Sequence, residues 1–215
     1  MTQDELRSTR KRMVDEQILA RGVRNPRLLA IMELVPRHLF IPPDELAWAY
    51  SDEPLPIGGG QTISQPYIVA LMTELLGLKP TDRVLEIGTG CGYQAAVLSE
   101  LAAEVHSIEI LPELATQATK TLADLGYTNV HIHTSDGSFG CPETAPYDGI
   151  LVAAAAPSVP QPLLDQLAEG GRLVVPVGNR SIQNLEVWKR TGQEFTCQKN
   201  LAVCFVPLRG EFGWR

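Results

Sequence analysis

The sequence of 215 residues predicts an α/β fold built on a mostly parallel sheet of seven strands. Five short apolar segments alternate with helix-like segments, which is the pattern that right-handed βαβ crossovers produce. One of these segments, within residues 84–93, passes into alternating glycines and then into helix-forming sequence, as at the carboxyl end of a parallel strand. Two more strand-like segments near the C-terminus have no helix between them, so we expect them to pair antiparallel. The predicted architecture is therefore Rossmann-like and doubly wound.

The seven predicted strands are short, and residues that favour turns separate several of them. A helix at about residues 112–125 should follow the second strand and return the chain to the same edge of the sheet. In chain order the strands span residues 84–87, 104–109, 129–133, 147–152, 172–177, about 184–189 and about 201–208.

A helical extension precedes the sheet. Its first helix should run from about residue 4 to residue 20 and end at Gly22, because glycine adopts the left-handed conformation that ends helices. Asn25 and Pro26 predict the start of a second helix, with asparagine as its cap and proline at its first position. We divide the chain into an extension, residues 1–55, and a sheet domain, residues 56–215, and expect them to form one compact unit.

The composition argues against several classes of partner. A formal net charge of −7 opposes a nucleic-acid partner, since such affinity depends largely on neutralising phosphates. No signal peptide is recognisable, and no apolar segment reaches the length of about 18 residues that a membrane span needs. We therefore expect a cytoplasmic protein that binds neither nucleic acid nor membrane, and we expect it to be a monomer.

The four cysteines and four histidines show no metal-binding spacing. We expect no metal site and interpret most of the cysteines as structural thiols. Cys91 lies inside the glycine turn, so it is the one cysteine that the sequence suggests could be reactive.

The glycine turn points to a nucleotide-like ligand. Gly88, Gly90 and Gly92 allow positive φ angles and a close approach of the backbone to a ligand. Their spacing is G-x-G-x-G, whereas the dinucleotide fingerprint is G-x-G-x-x-G, and Tyr93 follows them. A pyrophosphate site is therefore disfavoured.

Three acids at successive strand ends narrow the choice of ligand. Glu86, two residues before the turn, would repel a pyrophosphate but suits a cationic amino-acid moiety. Glu109 ends the second strand, where a carboxylate can accept the hydroxyls of a ribose, and Asp136 follows the third strand, where it could bind an adenine amino group. S-adenosyl-L-methionine has all three groups, so we expect it as the cofactor.

A second glycine-rich segment, residues 58–64, precedes the helix predicted at about residues 67–78. Three adjacent glycines lose much conformational entropy on ordering, so a segment approached closely by a ligand has more reason to contain them than a plain connector. Both interpretations stay open from the residues alone.

Several motifs together resemble one family, the bacterial-type protein-L-isoaspartate O-methyltransferases, which are class I S-adenosylmethionine-dependent methyltransferases. The resemblance extends from about Met13 to Leu208, nearly the whole chain. The turn and the fifth strand are shared with methyltransferases generally, whereas the Thr-Ile-Ser-x-Pro stretch and the Val-Pro-Leu tail are specific. The motifs occupy residues 61–66, 84–93, 147–157, 170–178 and 205–208.

The resemblance implies a role for each residue that matches a family motif, with residues 56–215 as the methyltransferase domain. Ser64 would be the active-site hydroxyl, while Val69 stands where some members have a histidine, so no histidine contact is transferred. The cofactor would contact Thr62, Ile63, Glu86, Gly88, Gly90, Gly92, Glu109, Asp136 and Gly137. The substrate would lie along Gly59, Gly60, Ser64, Val206, Pro207 and Leu208.

The implied reaction moves the sulfonium methyl group to the free α-carboxylate of an L-isoaspartyl residue in a damaged protein or peptide. Such a carboxylate is ionised near pH ~7, so no general base is needed. This agrees with residues 153–157, four alanines and a proline, which offer no side-chain base. Two alternatives stay open: a small-molecule O-methyltransferase on the same cofactor domain, and an S-adenosylmethionine-binding protein without activity.

Overall fold

The structure, a computed structural model, describes residues 2–214. Within this part of the chain the helices and strands follow one another in the order α1 (Gln3–Met13), α2 (Pro26–Leu34), β1 (Leu55–Gly58), β2 (Gln61–Ile63), α3 (Pro66–Leu76), β3 (Arg83–Ile87), α4 (Tyr93–Ser99), β4 (Glu104–Glu109), α5 (Pro112–Asp124), β5 (Val130–Thr134), β6 (Tyr147–Val152), α6 (Gln161–Asp165), β7 (Leu167–Gly178), β8 (Gln183–Thr191) and β9 (Glu194–Val203). No helix among these residues is long and apolar enough to span a bilayer.

The central sheet has seven strands in the order β5-β4-β3-β6-β7-β8-β9. The first five of these are parallel to one another, and β8 and β9 continue the sheet antiparallel. The predicted fold class, the strand number and the antiparallel C-terminal strands are confirmed. The chain winds outward from β3 in one direction through β4 and β5 and then in the other through β6. Open α/β sheets bind ligands at the carboxyl ends of strands on either side of such a switch point.

A small hairpin forms where the sequence predicted a glycine-rich loop. β1 and β2 pair antiparallel, with Leu55 opposite Ile63, and the tip between them holds Gly59 and Gly60 at φ 59° and 71°. Leu55, Ile57 and Ile63 are buried, and this burial anchors the hairpin to the core. Gly58 thus ends the first strand of a hairpin and Gln61–Ile63 form the second, a regular pairing that the glycine-rich sequence did not predict.

Strand boundaries in the C-terminal half differ from the prediction. β7 begins at Leu167, earlier than expected, and β9 ends at Val203, so residues 204–208 are not part of the last strand. They run instead to the end of β6, where the Ala155 N–H donates to the Val206 carbonyl and the Leu208 N–H donates to the Ala155 carbonyl, both at 2.8 Å. The segment therefore crosses the carboxyl edge of the parallel strands.

The N-terminal helix begins with a capping box between Thr2 and Glu5. The predicted helix over residues 4–20 is present but not uniformly α-helical: it widens into a π-helical turn at Val14–Ile18 and then tightens into a 3₁₀ turn that ends at Arg21. Gly22 follows at φ 100°, as predicted. Val14 and Ile18 are both buried, and this burial accompanies the change of helical pitch.

One hydrophobic core contains residues from the extension and from the sheet domain. Met13, Ile18 and Leu28 belong to the same buried cluster as Tyr93 and Ala96 of α4. Asn25 caps α2 by accepting hydrogen bonds from two backbone N–H groups, as its position before Pro26 predicts. The helix that begins at the glycine turn is thus supported from behind by the extension.

Candidate active site

The glycine turn connects β3 to α4. Gly88 has φ 93° and Gly90 has φ 54°, a left-handed conformation that residues with a side chain rarely adopt. A Cβ atom on Gly90 would lie 3.1 Å from the Ile57 Cδ1 atom of β1. Glycine is therefore required here both for the backbone conformation and for the close approach of the hairpin.

Glu109, the last residue of β4, has its carboxylate fixed by the backbone. Its Oε2 atom accepts a hydrogen bond from the Gly90 N–H at 2.8 Å, and its Oε1 atom accepts one from the Leu111 N–H at 3.0 Å. The side chain is buried, yet it lines the cleft beside the turn. Each carboxylate oxygen can accept a second hydrogen bond, so Glu109 has free acceptor sites in a fixed orientation.

Glu86 lies behind the wall of the cleft. The side chain is fully buried, and burial raises its pKa to about 8. Ser107 Oγ donates to Glu86 Oε2 at 2.5 Å and lies 2.6 Å from the hydroxyl of Thr89, which lines the cleft. Oε1 has no hydrogen-bond partner in the described part of the chain. Glu86 does not line the cleft itself but is hydrogen-bonded through Ser107 to Thr89, which does, and its contact with the ammonium group of a ligand stays a prediction.

Asp136 is occupied by contacts with the protein itself. Its Oδ1 atom accepts hydrogen bonds from the Ser138 N–H at 2.9 Å and from the Ser138 hydroxyl at 2.7 Å. Its Oδ2 atom accepts one from the Glu211 N–H at 2.8 Å. Gly137 lines the cleft, whereas Asp136 does not. The carboxylate therefore caps a short turn and ties down the C-terminal segment.

Ser64 lies between β2 and α3, in the loop that follows the hairpin. Its hydroxyl forms no hydrogen bond with any other residue in the range 2–214. Pro66 is the first residue of α3, so the serine precedes a rigid helix start. The hydroxyl is therefore free to bind a ligand at the edge of the cleft.

These elements line an open cleft at the carboxyl ends of the parallel strands, with about 880 Å³ of empty space when the adjoining solvent is included. The predicted site residues that line it are Thr62, Ile63, Ser64, Gly88, Gly90, Glu109, Gly137, Val206, Pro207 and Leu208. Those that lie outside its lining are Gly59, Gly60, Glu86, Gly92 and Asp136.

The sequence did not reveal the hydroxyl pair formed by Thr89 and Ser107. Ser107 is opposite Glu86 in the parallel register of β3 and β4, so only the pairing of two strands distant in sequence discloses it. Cys91 also lines the cleft, but burial raises its pKa to about 11. This argues against the suggestion that Cys91 is reactive, because burial favours the protonated thiol over the nucleophilic thiolate.

A groove adjoins the cleft on the side of the N-terminal extension. Thr62, Ser64, Ala153 and Val206 line both depressions. Ser64 thus lies at the boundary between the cleft and the groove.

A family model described as "Protein-L-isoaspartate(D-aspartate) O-methyltransferase" matches residues 8–212 of the chain. The chain belongs to this family. It is therefore an S-adenosyl-L-methionine-dependent methyltransferase that acts on isoaspartyl residues. Because the chain belongs to this family, we discard the two alternatives, a small-molecule O-methyltransferase and a cofactor-binding protein without activity.

Relatives with the same family name match nearly the full length of the chain. A protein-L-isoaspartate O-methyltransferase of Methanoregula boonei is 60% identical over 205 residues, which are 95% of this chain and 94% of that protein. One from Picosynechococcus sp. is 57% identical over 201 residues, covering 94% and 90% of the two chains. The similarity therefore includes the extension and the sheet domain alike.

Solved structures with the family name share the fold. One protein-L-isoaspartate O-methyltransferase superposes with a TM-score of 0.86 at 31% identity, covering 96% of this chain and 67% of its own. A Plasmodium falciparum structure described by the same family name, in complex with S-adenosyl-L-homocysteine, superposes with a TM-score of 0.79 at 25% identity, covering 93% and 98%.

The residues of the cleft fit the cofactor of this family. Glu109 offers acceptor sites of fixed orientation, which suit the hydroxyls of a ribose. Glu86 places a buried, unpartnered carboxylate oxygen behind the turn, where a nearby cation would favour its ionised form. Ala153 and Ala154 contribute only small side chains at the end of β6, which leaves space in the cleft.

Proposed function

We propose that the chain methylates the free α-carboxylate of L-isoaspartyl residues in damaged proteins and peptides by holding that carboxylate at Ser64. One observation carries the proposal: Ser64 lines both the cofactor cleft and the adjoining groove. S-adenosyl-L-methionine supplies the electrophilic methyl group when bound. The protein supplies the position of the acceptor and a site from which water is excluded.

The cofactor would be held by the turn and by the ends of three strands. Gly88 and Gly90 give the backbone access to its methionine part, with Gly92 completing the turn. Glu109 accepts hydrogen bonds from its ribose, and Gly137 lies against its adenine. Thr62 and Ile63 close the cleft from the hairpin, and Asp136 supports the loop of Gly137. Glu86 lies behind the cleft, where the positive charge of the bound cofactor would favour its ionised form.

The acceptor needs orientation and no base. An α-carboxylate with a pKa of about 3.5 is already the nucleophile at neutral pH. Ser64 donates a hydrogen bond to one carboxylate oxygen and leaves the other free to attack. The alanines at the end of β6 support this role, because they offer no competing acceptor or base near the reacting atoms.

The substrate backbone would lie extended beside the hairpin and the segment of Val206, Pro207 and Leu208. Main-chain hydrogen bonds to such edges depend little on neighbouring side chains, which suits an enzyme that must find damage in many sequences. Gly59 and Gly60 at the hairpin tip would allow the peptide to approach. A Cβ on Gly60 would meet no atom within 4 Å, so this position has room for a substrate.

Replacing Ser64 by alanine tests the central role. Ser64→Ala should lower kcat about ten- to hundredfold, the effect of losing one hydrogen bond to a charged group, and leave the cofactor Kd nearly unchanged. Ser64→Thr retains a hydroxyl and should recover part of the rate. An alanine variant with wild-type turnover of an isoaspartyl peptide would remove Ser64 from the mechanism.

The proposal also covers the domain organisation, the oligomeric state, the localisation and the partners of the protein. The extension, residues 1–55, and the methyltransferase domain, residues 56–215, form one folding unit, supported by their shared core. The protein acts as a monomer in the cytoplasm, where its cysteines remain thiols, and binds no nucleic acid, consistent with its net charge of −7. Sedimentation at several protein concentrations and a single two-state unfolding transition would test the first two properties.

A further inference from the structure

The groove beside the cleft is formed by two parts of the chain. One wall is the loop of Ser64 and Gln65, and the other is the end of β9 with the residues up to Val206. Because Ser64 also lines the cleft, a peptide with its isoaspartyl residue at this hydroxyl would place neighbouring residues along the groove. The groove is therefore the surface that meets the sequence around the damaged residue.

Arg21 is the one charged side chain among the described residues that line this groove. The other lining side chains are apolar or neutral, and the chain as a whole has a net charge of −7. Because the rest of the groove is neutral, Arg21 would attract a negatively charged group of a ligand to its own position in the groove.

The guanidinium of Arg21 is held in position from two sides. Its Cζ atom lies 3.5 Å from the centre of the Tyr67 ring, and its Nη1 atom lies 2.7 Å from Asp52 Oδ2. Asp52 is joined to the Ser64 loop, because its carbonyl accepts a hydrogen bond from Gln65 Nε2 at 2.9 Å. The orientation of Arg21 is thus fixed relative to the active-site loop.

Arg21 nevertheless has donors to spare. Its side chain is 42% exposed, and Asp52 is its sole hydrogen-bond acceptor within residues 2–214. A guanidinium carries five N–H donors and can bind a carboxylate with two of them. A second carboxylate can therefore bind from the groove while the ion pair with Asp52 remains.

We propose that Arg21 is a specificity-determining residue, which binds an acidic side chain next to the isoaspartyl residue of a substrate lying in the groove. This inference rests on the proposed function, since it takes the groove as the substrate site. Arg21 lines the groove but not the cleft, so its charge lies away from the point of methyl transfer. A cation at the acceptor carboxylate itself would also withdraw charge from the nucleophile, which further favours a neighbouring residue as the partner.

The test uses one flexible isoaspartyl peptide made with Glu, Gln or Lys as the neighbour, on each side in turn. The wild-type enzyme should show a kcat/KM for the Glu peptide about two- to fivefold above that for the Gln peptide, as expected for a partly exposed ion pair. Higher salt should reduce this ratio because it screens the charges. Arg21→Gln should abolish it.

Two further variants separate charge recognition from structural damage. Arg24→Gln removes an exposed arginine that does not line the groove, and it should retain the wild-type ratio. Asp52→Asn keeps Arg21 but removes its ion-pair partner, so the ratio should stay the same or rise. The readout is a ratio between peptides, which a uniform loss of activity does not change.

The outcomes separate this inference from the function on which it rests. Equal kcat/KM for the Glu, Gln and Lys peptides with the wild-type enzyme, or an unchanged Glu preference in Arg21→Gln, would overturn the role of Arg21 and leave the methyltransferase assignment intact. Failure to methylate any isoaspartyl peptide would overturn both.

Discussion

Glu109 shows how a single side chain can be oriented before any ligand arrives. The N–H groups of Gly90 and Leu111 hold its two oxygens, so the carboxylate also joins the glycine turn to the start of α5. A ribose that binds to it therefore meets an acceptor whose conformational entropy has already been lost on folding.

Removal of this carboxylate should weaken cofactor binding. Glu109→Ala should raise the Kd for S-adenosyl-L-methionine by the equivalent of about 1–3 kcal/mol, the range for lost hydrogen bonds to a charged group. Calorimetric titration measures the change, with Glu113→Ala, an exposed acid in the first turn of α5, as the matched control. Unchanged affinity in a folded Glu109→Ala variant would refute the ribose role.

Glu86 should couple the stability of the cofactor-free protein to pH. Burial raises its pKa from 4.5 to about 8, so between these values the folded state binds a proton that the unfolded state does not. Its contribution to the free energy of unfolding therefore falls as the pH rises through this range. Glu86→Gln can still accept the hydrogen bond from Ser107 but does not titrate, so its stability should depend less on pH.

Urea unfolding at pH ~6 and pH ~8 checks the role of Glu86, since both values lie within the range over which it titrates. The wild type should lose more stability than Glu86→Gln between the two pH values. Equal losses would mean that burial does not raise the pKa of Glu86, and would contradict the coupling of its protonation to folding.

At the scale of elements, the C-terminal segment forms one side of the cleft. It leaves β9, bonds to Ala155 at the end of β6, and is fastened further along by the bond from the Glu211 N–H to Asp136. Phe212 adds an edge contact to Phe139, with ring centroids 5.3 Å apart. The loop after β5 and the tail therefore support each other at the edge of the cleft.

Loss of the Asp136 side chain should loosen this segment. Asp136→Ala removes the acceptor for Ser138 and Glu211, at a cost of about 1 kcal/mol typical of a lost cap. Hydrogen exchange at the Glu211 amide should then accelerate, while Asp136→Asn, which keeps one acceptor oxygen, should show a smaller change. Unaltered exchange in both variants would contradict the anchoring role.

The parallel strands and the glycine turn could be predicted because their signals are local. Apolar runs give the strands, and the alternating glycines mark the turn. The tail was harder, because residues 204–208 look like a strand but find their partner at Ala155, about fifty positions earlier in the chain. Ser107 and Arg21 could not be singled out from the sequence for the same reason, because their contacts are with residues in distant segments of the chain.

For Glu86, Glu109 and Asp136, the sequence pattern predicts the position in the sheet but not the contacts of the side chain. Their positions at successive strand ends were correctly predicted, but only Glu109 lines the cleft. Glu86 precedes the turn and points behind the wall, and Asp136 is satisfied by its own loop and the tail. Spacing along a strand gives the edge at which a residue lies, whereas side-chain packing decides what it touches.

At the scale of the whole molecule, the fold brings the cleft and the groove, which we propose as the sites of cofactor and substrate, together at Ser64. The parallel sheet provides the cleft, while the hairpin, the tail and the N-terminal extension provide the groove. Recognition of isoaspartate must read backbone geometry, because the damaged residue differs from aspartate by one extra methylene in the main chain. A displacement of the carboxylate of about 1 Å can cost roughly a hundredfold in rate.

Methyl transfer to paired peptides tests this account most directly. The two peptides differ only in containing isoaspartate or aspartate at one position, and the pair is repeated in several unrelated flexible sequences. We expect kcat/KM for the isoaspartyl form to exceed that for the aspartyl form by roughly a hundredfold or more in every pair. Near-equal constants for the two forms would contradict it.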